Sequence, residues 1–193
     1  MGAPARRRAT YDDVLAAPEH VIAEVIDGEL HTQPRPAAGH SAASSALGEL
    51  LGPPFKRGRG GPGGWLILDE PEVHLGEDIV VPDLAGWRRE RLPRAPNAAF
   101  IALAPDWACE VLSKRTATID RKQKLRIYAR ERVGHVWLVD PGVRSLEVFR
   151  LENERYSLLA THSDDDVVRA EPFDAIELEL ALLWADVEQE AGG

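Results

Sequence analysis

Two carboxylates near the middle of the sequence lie inside short apolar runs. Asp83 stands in the run from Val80 to Leu84, and Glu110 stands in the run from Trp107 to Leu112. Each run is typical of a buried strand with one charge toward its end. A buried carboxylate is unfavourable unless a cation, a proton or a hydrogen-bond partner offsets its lost hydration. If the two strands are neighbours, both carboxylates reach one edge of the sheet, where they can bind Mg²⁺ or Mn²⁺.

A predicted helix from Thr116 to Arg132 brings a third charged group toward this edge. Asp120, Lys124 and Tyr128 are spaced four residues apart, so they share one face of that helix. Lys124, with Lys122 as a substitute, can orient water or stabilise the charge that develops on a phosphodiester. The alternative is a structural ion pair of Lys124 with a carboxylate, together with a core tyrosine, and composition alone favours this alternative.

The predicted order of helices and strands indicates an α/β fold around a mixed sheet. Thr10 is expected to cap a first helix, and Asp27-Gly28 to form the tight turn of a hairpin. The elements expected after this hairpin are a helix at 39–51, strands at 65–75, 79–87 and 107–112, the helix at 116–132, strands at 134–140, 145–151 and 155–161, and a helix at 180–190. The turn Gly76-Glu77-Asp78 is expected to join the first two of these strands, and the glycine-rich stretch 52–64 to be a loop.

Composition limits the class of protein. With 193 residues, of which 44% are hydrophobic, the chain is expected to form one domain at 10–190, with flexible tails at 1–9 and 191–193. No stretch approaches the ~18 consecutive apolar residues of a membrane-spanning helix, and no apolar signal core follows the first residues. The single cysteine, Cys109, leaves no partner for an internal disulfide. A soluble, cytoplasmic protein without membrane contact is therefore expected.

The net charge argues against a broad surface for nucleic acid. The charge is −9, whereas non-specific binding to DNA depends on neutralising phosphates. A local basic groove is still compatible with this charge. Its candidate members are Arg57, Arg59, the stretch from Arg88 to Arg94, Lys114 and Arg115. The five tryptophans are expected to be mostly core, although Trp87, beside Arg88 and Arg89, is a candidate for stacking on a base.

Other kinds of site have less support. The six histidines form no pair at metal-binding spacing, and a single cysteine argues against structural zinc. The stretch from Gly58 to Gly63 matches a dinucleotide fingerprint, but no strand precedes it. Ser41 is not in a nucleophile elbow, and the apolar neighbours of Cys109 disfavour a nucleophilic thiol. His40 begins the small-residue helix and can face the cleft, but capping or solvent exposure is expected instead.

Four motifs follow one another along the chain. They are Glu24-Val25-Ile26-Asp27-Gly28-Glu29, Val81-Pro82-Asp83-Leu84, Cys109-Glu110-Val111-Leu112-Ser113 and Gly134-His135-Val136-Trp137-Leu138-Val139-Asp140-Pro141. This ordered set, with Asp120, Lys124 and Tyr128 between the last two motifs, resembles the Uma-two family of restriction-endonuclease-like proteins, a branch of the PD-(D/E)XK nuclease superfamily. The resemblance extends from about Tyr11 to Leu183. It implies a restriction-endonuclease-like core of helix, three strands, helix and strand, to which this chain adds an N-terminal helix and hairpin and a C-terminal β-meander.

The resemblance also implies roles for single residues. Asp83 matches the motif aspartate and Glu110 the motif glutamate, and together they are expected to hold Mg²⁺ or Mn²⁺. Leu112 stands where the superfamily has lysine, and Lys124 matches the helix lysine that replaces it in the family.

Further positions bear on the same site. Glu24 and Glu72 match acidic positions of the family and, with Asp120 and Tyr128, are candidate supporting residues, although a structural role for both glutamates is equally compatible. The stretch Ser113-Lys114-Arg115-Thr116 departs from the usual Ser-Pro-Ser-Thr and adds two positive charges beside the site.

The function implied by the resemblance is that of a metal-dependent endonuclease hydrolysing phosphodiester bonds in DNA, with Asp83, Glu110 and Lys124 as catalytic residues. A homodimer would allow both strands to be cut. The net charge of −9 motivates an alternative, a catalytically silent module that keeps the nuclease fold for binding or regulation. A hydrolase or transferase acting on a small molecule is a third interpretation, and it requires a closed apolar pocket.

Overall fold

A six-stranded sheet forms the centre of the structure, a computed structural model that describes residues 7–188. Its strands, in spatial order, are β10 (Arg155–Ser163), β9 (Ser145–Glu152), β8 (His135–Asp140), β7 (Trp107–Val111), β6 (Leu84–Arg88) and β3 (Trp65–Asp69). β7 and β8 run parallel, and the other neighbours are antiparallel. A parallel pair needs a crossover connection, which a helical segment at 117–130 provides. The mixed sheet confirms the predicted α/β fold.

A second, four-stranded sheet contains the predicted hairpin. Its strands, in spatial order, are β2 (Glu29–Pro34), β1 (Val21–Ile26), β5 (Asp78–Val80) and β4 (Val73–Leu75). Asp27 and Gly28 form the hairpin turn with φ angles of 56° and 81°, as a primed turn requires. A short pair, β11 (Val167–Val168) with β12 (Leu178–Glu179), makes a third sheet.

Helices pack on both faces of the central sheet. The helices within residues 7–188 are α1 (Tyr11–Leu15), α2 (Ala38–Leu51), α3 (Ala117–Ile119), α4 (Leu125–Arg130) and α5 (Ala181–Trp184), with π-helical turns at Gly52–Lys56 and Asp120–Lys124. Of these, α2 and α4 pack on opposite faces of the central sheet. Alternation along β7 places Cys109 in the buried cluster that includes Leu47 of α2, and Ala108 in the cluster that includes Tyr128 of α4. Glu110 therefore faces α4. Within residues 7–188, no helix combines the length and apolar character needed to cross a bilayer.

The predicted strands at 65–75 and 79–87 are each broken, which corrects the prediction. β3 and β6 pair in the central sheet, whereas β4 and β5 pair in the smaller one. The breaks fall at Pro71 and Pro82, because proline lacks the N–H that a continuous ladder uses. Glu70, just before the first break, donates its N–H to the carbonyl of Asp83, just after the second, at 3.0 Å. The predicted turn at 76–78 therefore joins the short strands β4 and β5.

Two other segments also differ from their predictions. The glycine-rich stretch 52–64 begins with a π-helical turn that buries Phe55. The last helix ends at Trp184. Beyond it, Val187 packs against the core on the α2 side. The end of this predicted helix, 189–190, and the predicted tails at 1–6 and 191–193 lie outside the described residues. Residues 7–9 are described, and the N–H of Ala9 donates to the carbonyl of Gly28 at 2.8 Å.

β10 forms one edge of the central sheet. A bulge between Leu158 and Ala160 interrupts its pairing with β9. Leu158 is 51% exposed at this point. The edge strand is therefore long but irregular.

Candidate active site

Glu110 is at the centre of a buried cluster of charged side chains. It lies on β7 and is 2% exposed. Its Oε2 atom is 3.1 Å from Nζ of Lys124, and its Oε1 atom accepts a 2.5 Å hydrogen bond from the hydroxyl of Tyr128. Each oxygen thus has one partner, and each retains a further lone pair.

Lys124 holds three carboxylates together. Its Nζ atom lies 2.9 Å from Oε1 of Glu24, 3.1 Å from Glu110 and 3.5 Å from Oδ1 of Asp120. Glu24 comes from β1 and also accepts the N–H of Val81 at 2.8 Å. Side chains from the hairpin, the central sheet and the crossover helix therefore meet at one ammonium group.

Asp83 lies beside this cluster, immediately before β6. The antiparallel register of β6 with β7 places it next to Glu110. Its Oδ2 atom accepts the N–H of Val111 at 2.7 Å, and its Oδ1 atom lies 3.3 Å from Nε2 of His40. The aspartate is thus held by the backbone on one side and faces an imidazole on the other.

His40 faces the site, which was the less favoured of its predicted positions. It was expected to cap α2 or to face solvent, but its side chain is 13% exposed and faces Asp83. Its Nδ1 atom is buried and has no hydrogen-bond partner among the described residues. A signal was available in the small residues that follow, such as the fully buried Ala43, because they let α2 lie close to the sheet.

A π-helical turn brings the lysine into the cluster. The four-residue spacing predicted a regular helix, whereas hydrogen bonds in this turn, Asp120–Lys124, span five residues. Lys124 nevertheless contacts Asp120, and Tyr128 reaches the same glutamate from α4. Lys122, the predicted substitute for Lys124, is exposed. Turns of this kind occur frequently at functional sites.

Burial and mutual repulsion set the protonation of these groups. Burial raises the pKa of Glu110 well above its usual value, and the neighbouring carboxylates add to this effect, which Lys124 only partly opposes. Burial alone would lower the pKa of Lys124, but the three carboxylates around it outweigh burial and raise this pKa well above its usual value. Burial would likewise lower the pKa of His40, but its hydrogen bond with Asp83 and the charge of that aspartate raise it. The lysine is therefore an ammonium, and Glu110 retains a proton to a higher pH than an ordinary glutamate.

A cavity of about 810 Å³ lies over the cluster. The acidic and basic groups described above that line it are His40, Asp83, Glu110, Asp120 and Lys124. Lys114 and Arg115, the two positive charges expected beside the site, line it as well, and so does Arg35. Asp140 and Glu188 line the cavity too, so it combines acidic and basic side chains.

The remaining predicted basic groove makes its contacts elsewhere. The guanidinium of Arg88 lies 4.1 Å from the ring centroid of Trp65, and Arg91 pairs with Asp106 at 2.6 Å. The cavity lining, as the described residues form it, includes none of Arg57, Arg59 and the stretch 88–94. The expectation that Trp87 stacks on a base is wrong, because Trp87 is fully buried and its indole N–H donates to the carbonyl of Leu103 at 2.9 Å.

A family profile described as "Uma2: Putative restriction endonuclease" matches residues 9–182. The chain belongs to the Uma2 family. The resemblance drawn from the motifs is thereby confirmed. The Uma2 chain also shares its fold with a crystal structure described as a putative nuclease belonging to DUF820 from Anabaena variabilis ATCC 29413, with a TM-score of 0.69 and 23% identity, over 92% of this chain and 98% of that chain. The comparison with curated proteins finds no match.

The part of the chain that matches Uma2 contains every residue of the buried cluster. Glu72, also a candidate from the family pattern, bonds to Nε2 of His74 at 2.8 Å, away from Lys124. The structure thus brings Glu24, Asp120 and Tyr128 to Glu110, and places Glu72 in a different environment.

Asp83 and Glu110 are the candidate ligands for a divalent cation in this Uma2 protein. When ionised, the four carboxylates of the site outnumber the one ammonium and the one imidazole, so a buried excess of negative charge is left. Among residues 7–188, no group of three His, Cys, Asp or Glu side chains is already arranged to hold a metal. Mg²⁺ needs only one or two protein carboxylates, because water completes its coordination. The donor set therefore fits a cation held by two carboxylates.

Proposed function

We propose that this Uma2 protein is a metal-dependent endonuclease of the PD-(D/E)XK type that hydrolyses phosphodiester bonds in DNA. The observation that carries the proposal is the convergence of Asp83, Glu110 and Lys124 on one cavity. Two carboxylates can hold a metal that assists hydrolysis of a phosphodiester, and an ammonium can stabilise the charge that develops. The descriptions of the family and of the fold neighbour, as restriction endonuclease and nuclease, support the same reaction.

Each residue has a role in this proposal. Asp83 and Glu110 hold Mg²⁺ or Mn²⁺, which supplies Lewis acidity and a more acidic bound water. Lys124 stabilises the negative charge that develops on the phosphate. Tyr128 and Asp120 act as positioning residues, because they contact Glu110 and Lys124 directly.

The test compares cleavage of single-stranded, linear and supercoiled DNA by the parent protein and by Asp83→Asn, each with Mg²⁺ or Mn²⁺. Asparagine keeps an oxygen that can accept the N–H of Val111, so the substitution removes the charge while preserving the contact between β6 and β7. Cleavage by Asp83→Asn is expected to fall to background.

Glu72→Gln is the matched control, since it makes the same change from carboxylate to amide at a residue that contacts His74. This variant is expected to cleave like the parent. A parent protein that cleaves no form of DNA, or cleavage that survives Asp83→Asn, contradicts the proposal.

A catalytically silent nuclease-fold module is the second candidate. The observation in its favour is that Lys124 is 2% exposed and contacts three carboxylates, as a purely structural lysine would. Calorimetry with Mn²⁺ separates the two functions. A silent module is expected to show no Mn²⁺ binding that depends on Asp83 and Glu110. The third interpretation has less support, because charged side chains line the cavity.

A further inference from the structure

The candidate active site lies at the base of a cavity enclosed by four segments of the chain. They are 33–37, 113–117, 140–143 and 187–188. At the base, Glu110 and Lys124 are each only 2% exposed. A phosphate that reaches these groups must therefore pass between the four segments.

Duplex and single-stranded DNA differ in their ability to bring a phosphate into this cavity. Duplex DNA is stiff over about 150 base pairs, so bending it sharply into a small cavity costs several kcal/mol, about 1–6 for smooth bending of a short site. A single strand is flexible, and its bases can be separated from one another at little cost. A cavity of about 810 Å³ with a nearly sealed base therefore favours a narrow, flexible strand.

Two arginines at this cavity are available for phosphates. Arg35 precedes α2 and Arg115 follows β7, and both are exposed. Neither side chain has an ion pair or a hydrogen bond with another described residue. Guanidinium groups bind phosphate oxygens in a bidentate manner. These two charges can therefore offset part of the repulsion between a phosphate chain and the acidic side chains of the cavity, which include Asp140 and Glu188.

The walls also have an apolar part. Pro36, Pro141 and Val143 line the cavity, and Val143 is 68% exposed. Unpaired bases present apolar faces that a duplex keeps stacked inside. The walls thus complement a strand whose bases are separated.

We propose that the cavity takes a single unpaired DNA strand, with Arg35 and Arg115 binding phosphates on either side of the position above Asp83 and Glu110. Continuous duplex DNA is excluded from this position by the four segments. For the cleavage step the inference rests on the proposed nuclease function, but the binding preference does not depend on cleavage.

The experiment measures the binding of a labelled 20-nucleotide strand and of the same sequence as a blunt duplex, by fluorescence anisotropy, with the full-length parent protein in EDTA and in Ca²⁺. The single strand is expected to bind at least about tenfold more tightly, as stacking and flexibility favour it. Arg35→Gln and Arg115→Gln are each expected to weaken binding of the single strand and to reduce the slope of log K against log salt by about 0.7.

Arg155→Gln is the matched control, because Arg155 is also exposed and does not line the cavity. This variant is expected to keep both the affinity and the salt slope of the parent. Circular dichroism checks that all three variants are folded.

Four outcomes overturn the inference. They are equal or tighter binding of the blunt duplex, binding of neither form, preferential cleavage of the duplex, and effects of the cavity arginines that equal those of Arg155→Gln. Strand-selective binding without cleavage supports the inference and contradicts the nuclease function, whereas cleavage that prefers duplex DNA does the reverse. The two proposals can therefore fail separately.

Discussion

The hydroxyl of Tyr128 donates a 2.5 Å hydrogen bond to Oε1 of Glu110, while the ammonium of Lys124 contacts Oε2 of the same carboxylate. Both donors come from the crossover that joins the parallel strands β7 and β8. The orientation of the glutamate is therefore set from outside its own strand. Any cation held by Glu110 depends on the position of this crossover.

Tyr128→Phe removes the hydroxyl and leaves the ring. We expect the free energy of unfolding to fall by about 1–3 kcal/mol, because a buried oxygen of an ionisable group loses its donor. The affinity for Mn²⁺ is expected to fall by about tenfold, since the carboxylate is no longer held. Urea denaturation and calorimetry measure the two quantities.

Tyr156→Phe is the control for this prediction. It removes a 2.7 Å hydrogen bond from a hydroxyl to the carbonyl of Val133, away from Glu110. Stability is expected to fall by about 1 kcal/mol, with Mn²⁺ affinity unchanged. The same loss of affinity in both variants would show that the effect at Tyr128 is not specific.

Lys124→Met tests the cohesion of the charged cluster. The substitution leaves three buried carboxylates without their common cation, and the free energy of unfolding is expected to fall by about 3–5 kcal/mol. Lys122→Met changes an exposed lysine in the same π-helical turn and is expected to alter stability by less than about 0.5 kcal/mol. Urea denaturation measures the free energy of unfolding of both variants. Similar decreases in the two variants would contradict the central role of Lys124.

Cation binding is expected to release protons. Burial raises the pKa of Glu110 well above its usual value, and the contact with Asp83 raises that of His40 although burial opposes it. A divalent cation favours the ionised carboxylate and disfavours the imidazolium, so it displaces protons from both groups. Since raising the pH removes these protons beforehand, affinity for Mn²⁺ is expected to increase with pH.

Calorimetry in two buffers of different ionisation enthalpy counts the protons released. His40→Gln keeps a donor with about the reach of Nε2, the atom that faces Asp83, but has no titrating group, so the number of protons is expected to fall. An Mn²⁺ affinity that stays constant across the range in which an ordinary histidine titrates would contradict this prediction.

Gly86→Ala tests the packing of the central sheet. A Cβ at Gly86 would lie 3.2 Å from ring carbons of Trp65 and Trp107, both buried, so stability is expected to fall by about 1–3 kcal/mol. At Gly52, where φ is −59°, an added Cβ meets nothing within 4 Å. Gly52→Ala is therefore expected to raise stability by about 0.4–1 kcal/mol. Thermal unfolding that changes in the same direction for both variants would contradict the packing argument.

Local chemistry was sufficient to predict part of the fold. Asp27-Gly28 specifies its hairpin through the backbone angles of the two turn residues alone. Pro71 and Pro82 gave a signal for a break, and charged residues flank Pro71, whereas the apolar run from Ile79 continues up to Pro82. The sheet that each half-strand joins is decided by long-range pairing, which no local pattern contains.

The residues of the site likewise divide into those indicated by a local pattern and those placed by long-range packing. Asp83 and Glu110 were predictable, because a single charge inside an apolar run is unusual at its own position. For His40 the sequence left the cleft as the less favoured position, because its contact with Asp83 depends on how α2 packs, which no local pattern contains. Trp87 was predicted to be core by its pattern, with base stacking as the alternative, and its full burial agrees with the pattern.

The bulge in β10 has a consequence for the behaviour of the protein in concentrated solution. A long, regular edge strand offers a row of unpaired backbone groups that strands of other molecules can join. Here the interruption between Leu158 and Ala160 twists that row out of line. Another chain must first straighten this stretch before it can extend the sheet, so the irregularity protects the molecule from aggregating through its longest strand.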